Sequence, residues 1–308
     1  MNVPGDPNAW RIGLVGYGEV GRILAEDLRA HGLDAVAAFD VKLGGGAGAP
    51  LLAHAERHGV TLVASHAELS AAADLIISAV TASQTVNAAQ ACAPAIARGA
   101  WFLDFNSASP GAKRRAAELI DGAGGQYVEG AVMTSIMPYR IRVPLLLGGR
   151  GASALAPLLN RLGFDSRVAS VELGVASATK MCRSVLIKGM EATVIEAFTA
   201  ARAYGVEDAV LASLSETFPG IDWEKQGAYF FQRVIQHGRR RAEEMREAAH
   251  TVSEIGLVPR SASATAEAQG WIGELADQQV FGDRAAPRGD WRVEADRILS
   301  ALDGNKQR

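Results

Sequence analysis

Three glycines, Gly16, Gly18 and Gly21, stand directly after the short apolar run IGLV at residues 12–15 and open a stretch whose apolar positions, Ile23, Leu24 and Leu28, have helical spacing. That order reads as strand, tight turn, helix. Each glycine then has a separate role, since the first makes the turn, the second lets backbone approach a pyrophosphate, and the third lets helix and strand pack closely. The helix offers its N-terminal amides to the phosphates. A glycine turn by itself also serves between any strand and helix. Here Asp40 follows nineteen positions after Gly21, at the end of the next apolar run. A carboxylate there accepts hydrogen bonds from both ribose hydroxyls of NAD and repels a 2'-phosphate. Gly16, Tyr17, Gly18, Glu19, Val20, Gly21 and Asp40 are therefore the predicted cofactor contacts. NADP stays open as the alternative, because Lys42 offers a cation unless it is simply solvated. S-adenosylmethionine uses a similar layout but needs neither the third glycine nor a helical second domain.

The rest of the first half repeats the alternation. Apolar runs at residues 36–39, 73–80 (ADLIISAV), 101–105 (WFLDF), 127–132 and 143–148 (VPLLLG) are separated by Ala-rich helical stretches, the pattern of a parallel sheet covered by helices on both faces. The Gly-rich residues 44–48 read as a loop near the cofactor. After Val171 the strand signal stops, so the fold class is α/β: a Rossmann dinucleotide-binding domain over residues 1–171, then an all-α domain over 172–308 for substrate and dimerisation. One long helix is predicted from Gly174 to a cap at Gly205. A second covers residues 225–254, where Phe231, Val234, Gly238, Ala242, Met245, Ala249 and Val252 recur at three or four residues.

With 308 residues, 48% of them apolar, the chain is long enough for two cores. Basic and acidic residues number 31 and 34, which gives no field for a phosphate polymer or an anionic bilayer, so neither nucleic acid nor membrane is an expected partner. No apolar run reaches the roughly 20 residues of a membrane span, and residues 1–10 carry no signal pattern, so a cytoplasmic protein is expected. The two cysteines, Cys92 and Cys182, read as buried fillers. Of the six histidines only His54 and His58 have helix-ligand spacing, and without an HExxH arrangement they read as surface residues; no metal is predicted.

The second informative stretch begins the long helix. Ser177, Lys180, Ser184, Lys188 and Glu191 share one helical face. A solvated face with a Lys188–Glu191 pair would account for it. Its position just past the domain boundary favours chemistry instead, at the mouth of a cofactor crevice formed by strand ends. Oxidising an alcohol needs a base for the hydroxyl proton as hydride leaves, and the reverse needs an acid. A lysine serves both ways when burial lowers its pKa, and while charged it polarises a carbonyl.

With Gly16, Gly18, Gly21 and Lys180 in this order and spacing, the chain resembles the β-hydroxyacid dehydrogenases and their relatives the 6-phosphogluconate dehydrogenases. The resemblance implies a lysine acting as acid and base at Lys180 and a helical C-terminal domain. It also implies cofactor contacts at Val80, Thr81 and, within DFNSASP at residues 104–110, Ser107. Two places depart from the family. Where it carries a serine and paired glycines for the substrate carboxylate, this chain has EGAVMTS at 129–135, so Val132, Met133 and Thr134 become the expected substrate contacts. The asparagine four residues after the lysine is Ser184, preceded by Arg183, and both join the expected substrate set. A hydroxyl reaches less far than an amide, which points to a substrate other than a simple 3-hydroxy acid. The segments KMCRSVLIKGMEA, FPGIDW and HGRRRAEEMREAA are similar to those of a less-characterised branch of this superfamily.

Within that last segment His237, Arg240, Arg241 and Glu244 fall on one face. His237 reads as a partly buried structural histidine and Arg240 as the partner of Glu244. In a functional reading Arg240 or Arg241 would pair with a substrate carboxylate through two parallel hydrogen bonds, and His237 and Arg240 join the expected substrate set. Three functions follow from the whole. The first is an NAD(P)-dependent dehydrogenase acting on a small hydroxy acid or related alcohol, as a homodimer through its helical domain. The second is an imine reductase, whose catalytic position often lacks lysine. The third is a non-catalytic dinucleotide sensor.

Overall fold

The computed structural model describes residues 5–45, 48–287 and 289–306. Residues 1–4, and Gly46 and Ala47 of the Gly-rich loop, lie outside the described residues. The chain divides into two compact units, residues 1–181 and 182–308.

The first unit is built on an eight-stranded sheet: β1 (Ile12–Val15), β2 (Val36–Phe39), β3 (Thr61–Leu62), β4 (Leu75–Ser78), β5 (Trp101–Asp104), β6 (Gln126–Val132), β7 (Pro144–Gly148) and β8 (Asp165–Ser170). Their spatial order is β3-β2-β1-β4-β5-β6-β7-β8. All neighbours run parallel except β6 and β7, which pair antiparallel from Glu129 with Gly148 to Val132 with Leu145. The sheet is therefore mixed at one end, not wholly parallel as the alternation alone predicts. The connection after β6 is too short for a crossover helix: only α6 (Ile136–Tyr139) and one 3-10 turn (Arg140–Arg142) intervene before β7, so the chain turns back.

The helices α1 (Glu19–Ala30), α2 (Ala49–His58), α3 (His66–Ala72), α4 (Thr85–Cys92), α5 (Pro110–Gly122) and α7 (Ala152–Arg161) cover both faces. One core joins Ile12, Leu14, Leu75 and Ile77 to Leu24, Leu28, Leu51 and Leu155; the other joins Val15, Ile76 and Phe102 to Leu69, Ala89 and Ile120. Every residue of β1, β4 and β5 is buried, as strands covered on both faces must be. β3 and β8 escape the sequence pattern because β3 has two residues and β8, an edge strand reading DSRVAS, buries only one side chain fully.

The break between units falls within α8 (Val175–Tyr204), which ends at Gly205 with φ +68°. In the second unit α8 continues among α9 (Glu207–Thr217), α10 (Trp223–Glu254), α11 (Arg260–Asp277) and α12 (Trp291–Lys306). Phe198, Leu211, Phe230, Phe231, Val234, Ile272, Leu275, Trp291 and Ile298 form its core. Among the described residues no helix is long and apolar enough to cross a membrane.

Candidate active site

The glycine turn forms as its sequence requires. Gly16 has φ +91°, a conformation that L side chains avoid, and a Cβ there would sit 2.6 Å from the Ala79 carbonyl oxygen. A Cβ on Gly21 would sit 2.1 Å from the Gly16 carbonyl, so only glycine lets α1 approach the turn. Gly18, by contrast, has nothing within 4 Å of where a Cβ would be. Two glycines are thus closed by packing and the middle one faces open space, which is the cradle a pyrophosphate needs. Gly18 is also the N-cap of α1, whose first turn carries exposed Glu19, with Val20 packed against the core.

Asp40 follows β2 and closes this corner. Its Oδ2 accepts the Tyr17 backbone N–H at 2.8 Å and its Oδ1 the Lys42 backbone N–H at 2.9 Å. A carboxylate has about four acceptor sites, so each oxygen keeps one for a ribose hydroxyl. The Lys42 side chain is exposed. The Tyr17 side chain points away from the turn: it is fully buried, and its hydroxyl lies 2.9 Å from His54 Nδ1. Burial pushes that hydroxyl up to about 12, so it remains protonated. His54 Nε2 in turn lies 2.8 Å from Glu26 Oε1. Because a carboxylate only accepts, Nε2 carries the hydrogen, and in the neutral ring Nδ1 accepts from Tyr17. Arg140 donates to Glu26 Oε2 at 2.6 Å and to Asp27 at 2.8 Å. The hydrogen bond from His54, more than those from Arg140, holds the Glu26 carboxyl below its usual range. His54 is therefore a buried member of a network and not a surface histidine.

At the ends of β4 and β5, Asn106 ties the two strands together. Its Oδ1 accepts the Val80 N–H at 2.8 Å and its amide donates to Ser78 Oγ at 3.0 Å. Thr81 next to Val80 is exposed. Below this lies a buried ion pair absent from the sequence-based expectations. Lys113 Nζ is 2.9 Å from Asp104 Oδ1 with both side chains 1% exposed, and Tyr127 donates to Asp104 Oδ2 at 2.6 Å. Burial first, then the neighbouring Asp104 charge, pushes the Tyr127 hydroxyl well up. Lys113 also donates to the backbone carbonyl of Asp104 at 2.9 Å. The pair fixes the strand end that leads to Ser107.

Lys180 meets that strand end. Its Nζ donates to Ser107 Oγ at 2.6 Å. Lys180 sits in the second turn of α8, and the first turn is held by a residue absent from the expected site, Glu129 of β6. Glu129 is wholly buried; its Oε1 accepts the backbone N–H of Gly174 at 2.8 Å and of Ala176 at 3.1 Å, and its Oε2 accepts the Ser177 hydroxyl at 2.8 Å. Across the sheet Gly148 makes room for it, since a Cβ there would lie 2.2 Å from Glu129 Oε1. A strand carboxylate thus caps the helix that carries the lysine, and places negative charge where the helix dipole favours it.

The expected substrate residues scatter. Val132 ends β6 and is half-buried, like Met133, whose N–H donates to the Pro144 carbonyl at 3.0 Å; Thr134 is exposed. In the second unit Arg183 is exposed and Ser184 is buried, 3.4 Å from Lys188 Nζ. Lys188 does not pair with Glu191 as a solvated face would have it. Both are buried: Lys188 pairs with Glu244 at 2.6 Å, and Glu191 accepts from Arg241 and, at 3.1 Å, from the Gln269 amide. Arg240 is exposed and pairs with Glu244 at 3.0 Å. His237 is half-buried, and burial together with Arg240, Arg233 and Arg241 pushes it down to about 4, so it is neutral near pH 7. Cys92 is buried, but Cys182 is exposed and is no core filler.

A mixed sheet in the order 3-2-1-4-5-6-7-8 with a glycine turn at the switch between β1 and β4, and a helical unit after it, defines the class of two-unit dinucleotide-binding proteins. Residues 11–152 match the NAD binding domain of 6-phosphogluconate dehydrogenase, and residues 201–272 match a domain of unknown function (DUF1932). A conserved hypothetical protein from Sinorhizobium meliloti 1021 is 35% identical with a TM-score of 0.73, over 93% of this chain and 95% of that one. The conserved protein MTH1747, of unknown function and described as structurally similar to 3-hydroxyacid dehydrogenases, is 30% identical with a TM-score of 0.66, over 87% of this chain and 98% of that one. At 16% identity and a TM-score of 0.66, 3-hydroxyisobutyrate dehydrogenase from Mycobacterium tuberculosis shares the fold over 94% of this chain and 99% of that one. The chain belongs to the 3-hydroxyacid dehydrogenase-like family with a 6-phosphogluconate dehydrogenase-type NAD-binding domain, in the branch that carries the DUF1932 domain.

Proposed function

We propose that this protein is an NAD-dependent oxidoreductase interconverting the hydroxyl and carbonyl forms of a small hydroxy acid or related alcohol, with Lys180 as general acid and base. One observation carries the reading: in an NAD-binding domain, Lys180 Nζ lies 2.6 Å from Ser107 Oγ, just past the carboxyl end of β5. In open α/β sheets that end is where ligands dock. Bound on the glycine turn, NAD would supply the acceptor for hydride leaving the substrate carbon. Lys180, as the neutral amine, takes the hydroxyl proton as hydride leaves and the C–O bond becomes C=O, and as the ammonium so formed returns it to the oxygen in the reverse direction. Ser107 orients the ammonium, and Glu129 fixes the helix turn from which it projects. Val132, Met133 and Thr134, at the end of β6, are the proposed substrate contacts in this unit. Homodimerisation belongs to the same reading, since the helical unit exposes Leu186 and Tyr229; sedimentation equilibrium distinguishes the mass of two chains from that of one.

The deciding experiment is a panel of hydroxy acids, sugar acids and aryl alcohols, each assayed with NAD and with NADP by the absorbance of the reduced nicotinamide. Turnover of one hydroxylated class supports the proposal. Tight NAD binding without turnover of any of them would favour a sensor instead.

Coenzyme choice gives a separate prediction. Asp40 faces the ribose with a full negative charge, and like charges brought together cost up to several kcal/mol. Asp40→Asn keeps an acceptor for the turn and removes the charge. The ratio of kcat/KM with NADP to that with NAD is expected to rise at least about tenfold, the equivalent of 1.4 kcal/mol. An unchanged ratio would mean that Asp40 only anchors the turn.

A further inference from the structure

Outside the Lys180 site, three side chains with metal-binding atoms converge between α1 and α2. His54 and His58 stand one turn apart on α2, their ring centroids 4.4 Å from each other. Glu26 of α1 brings Oε1 to 2.8 Å from His54 Nε2. One ligand atom from each of the three lies within 4.8 Å of the other two. We propose that Glu26, His54 and His58 form a binding site for a divalent transition ion of the zinc type, separate from the chemistry at Lys180.

Two imidazoles and a carboxylate are a donor set that zinc takes with water in its fourth position. With zinc–nitrogen and zinc–oxygen bonds of about 2.0–2.2 Å, tetrahedral ligand atoms stand roughly 3.3 Å apart. The hydrogen-bonded pair must therefore open by about half an ångström and no other pair needs to close by more than about 1.5 Å. Rotation of the half-buried Glu26 and His58 side chains supplies such movements. Arg140 does not take the coordinating oxygen: it holds Glu26 Oε2, and Oε1 is the atom turned to His54. Its charge is also answered by Asp27, 2.8 Å away, so the two carboxylates and one guanidinium leave net negative charge for a dication.

The outer shell is present as well. A metal-bound imidazole is held at its other nitrogen by a neighbouring oxygen, and His54 Nδ1 has the Tyr17 hydroxyl at 2.9 Å. With the ion on Nε2, the ring hydrogen moves to Nδ1 and donates to the Tyr17 oxygen, the reverse of the metal-free arrangement. Tyr17 lies between Gly16 and Gly18, so the ion would sit one hydrogen bond from the dinucleotide turn.

The test is a zinc titration of chelator-stripped full-length protein in competition with a chromophoric chelator of micromolar affinity. The wild type is expected to take up one equivalent. His58→Ala and His58→Gln should weaken uptake at least about tenfold, while Cys182→Ser, which removes the exposed thiol, should leave it unchanged. Should both His58 variants fail to fold, cobalt(II) bound to the wild type decides the matter, because tetrahedral nitrogen and oxygen ligation gives strong visible ligand-field absorption without any mutation. No zinc uptake by the wild type, equal uptake by the His58 variants, loss of uptake in Cys182→Ser, or octahedral cobalt spectra would overturn the proposal.

Discussion

Replacing Lys180 by alanine is expected to lower kcat by about 10²- to 10⁴-fold, the usual worth of a positioned acid and base, while the dissociation constant of NAD stays within about threefold of the parent. The split follows from geometry. Lys180 touches Ser107 beyond β5, whereas Asp40, which would carry the ribose, is held by the backbone amides of Tyr17 and Lys42. Lys180→Arg separates two roles of the ammonium. Guanidinium keeps the positive charge that polarises a carbonyl but does not give up its proton, so a proton-transfer role predicts that arginine fails nearly as badly as alanine. If charge alone were at work, arginine would recover most of the rate. Ser107→Ala should cost less than either, because it frees the lysine without removing it. Steady-state kinetics with a responsive substrate and calorimetric titration with NAD measure both sides of the split. Unchanged turnover in Lys180→Ala would remove this lysine from the chemistry.

What the sequence reveals and what it hides divides along the range of the interactions concerned. The turn from Gly16 to Gly21 and its carboxylate Asp40 are legible because their constraints are local: a positive φ, a backbone approach, and a strand end at fixed spacing. The two long helices, α8 and α10, are legible for the same reason, the first by its glycine cap at Gly205 and the second by the period of its buried face. Glu129 is different. Its partners Gly174, Ala176 and Ser177 lie 45 to 48 residues ahead, and no local pattern names them. A signal is nonetheless there: a carboxylate in the apolar run YVEGAV, on a strand that must be buried on both faces, requires donors somewhere. Lys113 leaves a similar trace. It falls on the face of α5 shared by Ala112, Ala116, Ala117 and Ile120, so a lysine there calls for a buried anion, found in Asp104. The polar face of α8 is visible in the sequence, but its meaning is not, because Lys188 and Glu191 are answered from α10 rather than by each other. His54 passes for a surface residue because Tyr17 and Glu26, which hold it, are far from it in sequence.

The largest structural effect is expected at Glu129. Removing its carboxylate with Glu129→Ala strips the acceptor from two buried backbone N–H groups and a buried hydroxyl at the start of α8. A buried donor left without a partner costs about 1–3 kcal/mol, and a cavity adds to that. The three losses are not equal, because the Ser177 hydroxyl can turn to the Gly174 carbonyl 3.1 Å away. The two N–H groups have no such recourse, which sets the net cost at about 3–5 kcal/mol. For a domain of this size that lowers the melting temperature by roughly 6–20 °C. Glu129→Gln keeps one oxygen for the two N–H groups, and its amide can donate to Ser177 Oγ once that hydroxyl has turned, so it should lose only about 1–2 kcal/mol. The glutamine variant is the more informative about catalysis. It leaves the helix folded but weakens the cap that fixes Lys180, so kcat should fall further than NAD affinity, as it would for a group that acts by positioning another. Calorimetry and kinetics on the two variants together give the answer: a melting temperature in Glu129→Ala within about 2 °C of the parent would show that α8 begins without its carboxylate cap.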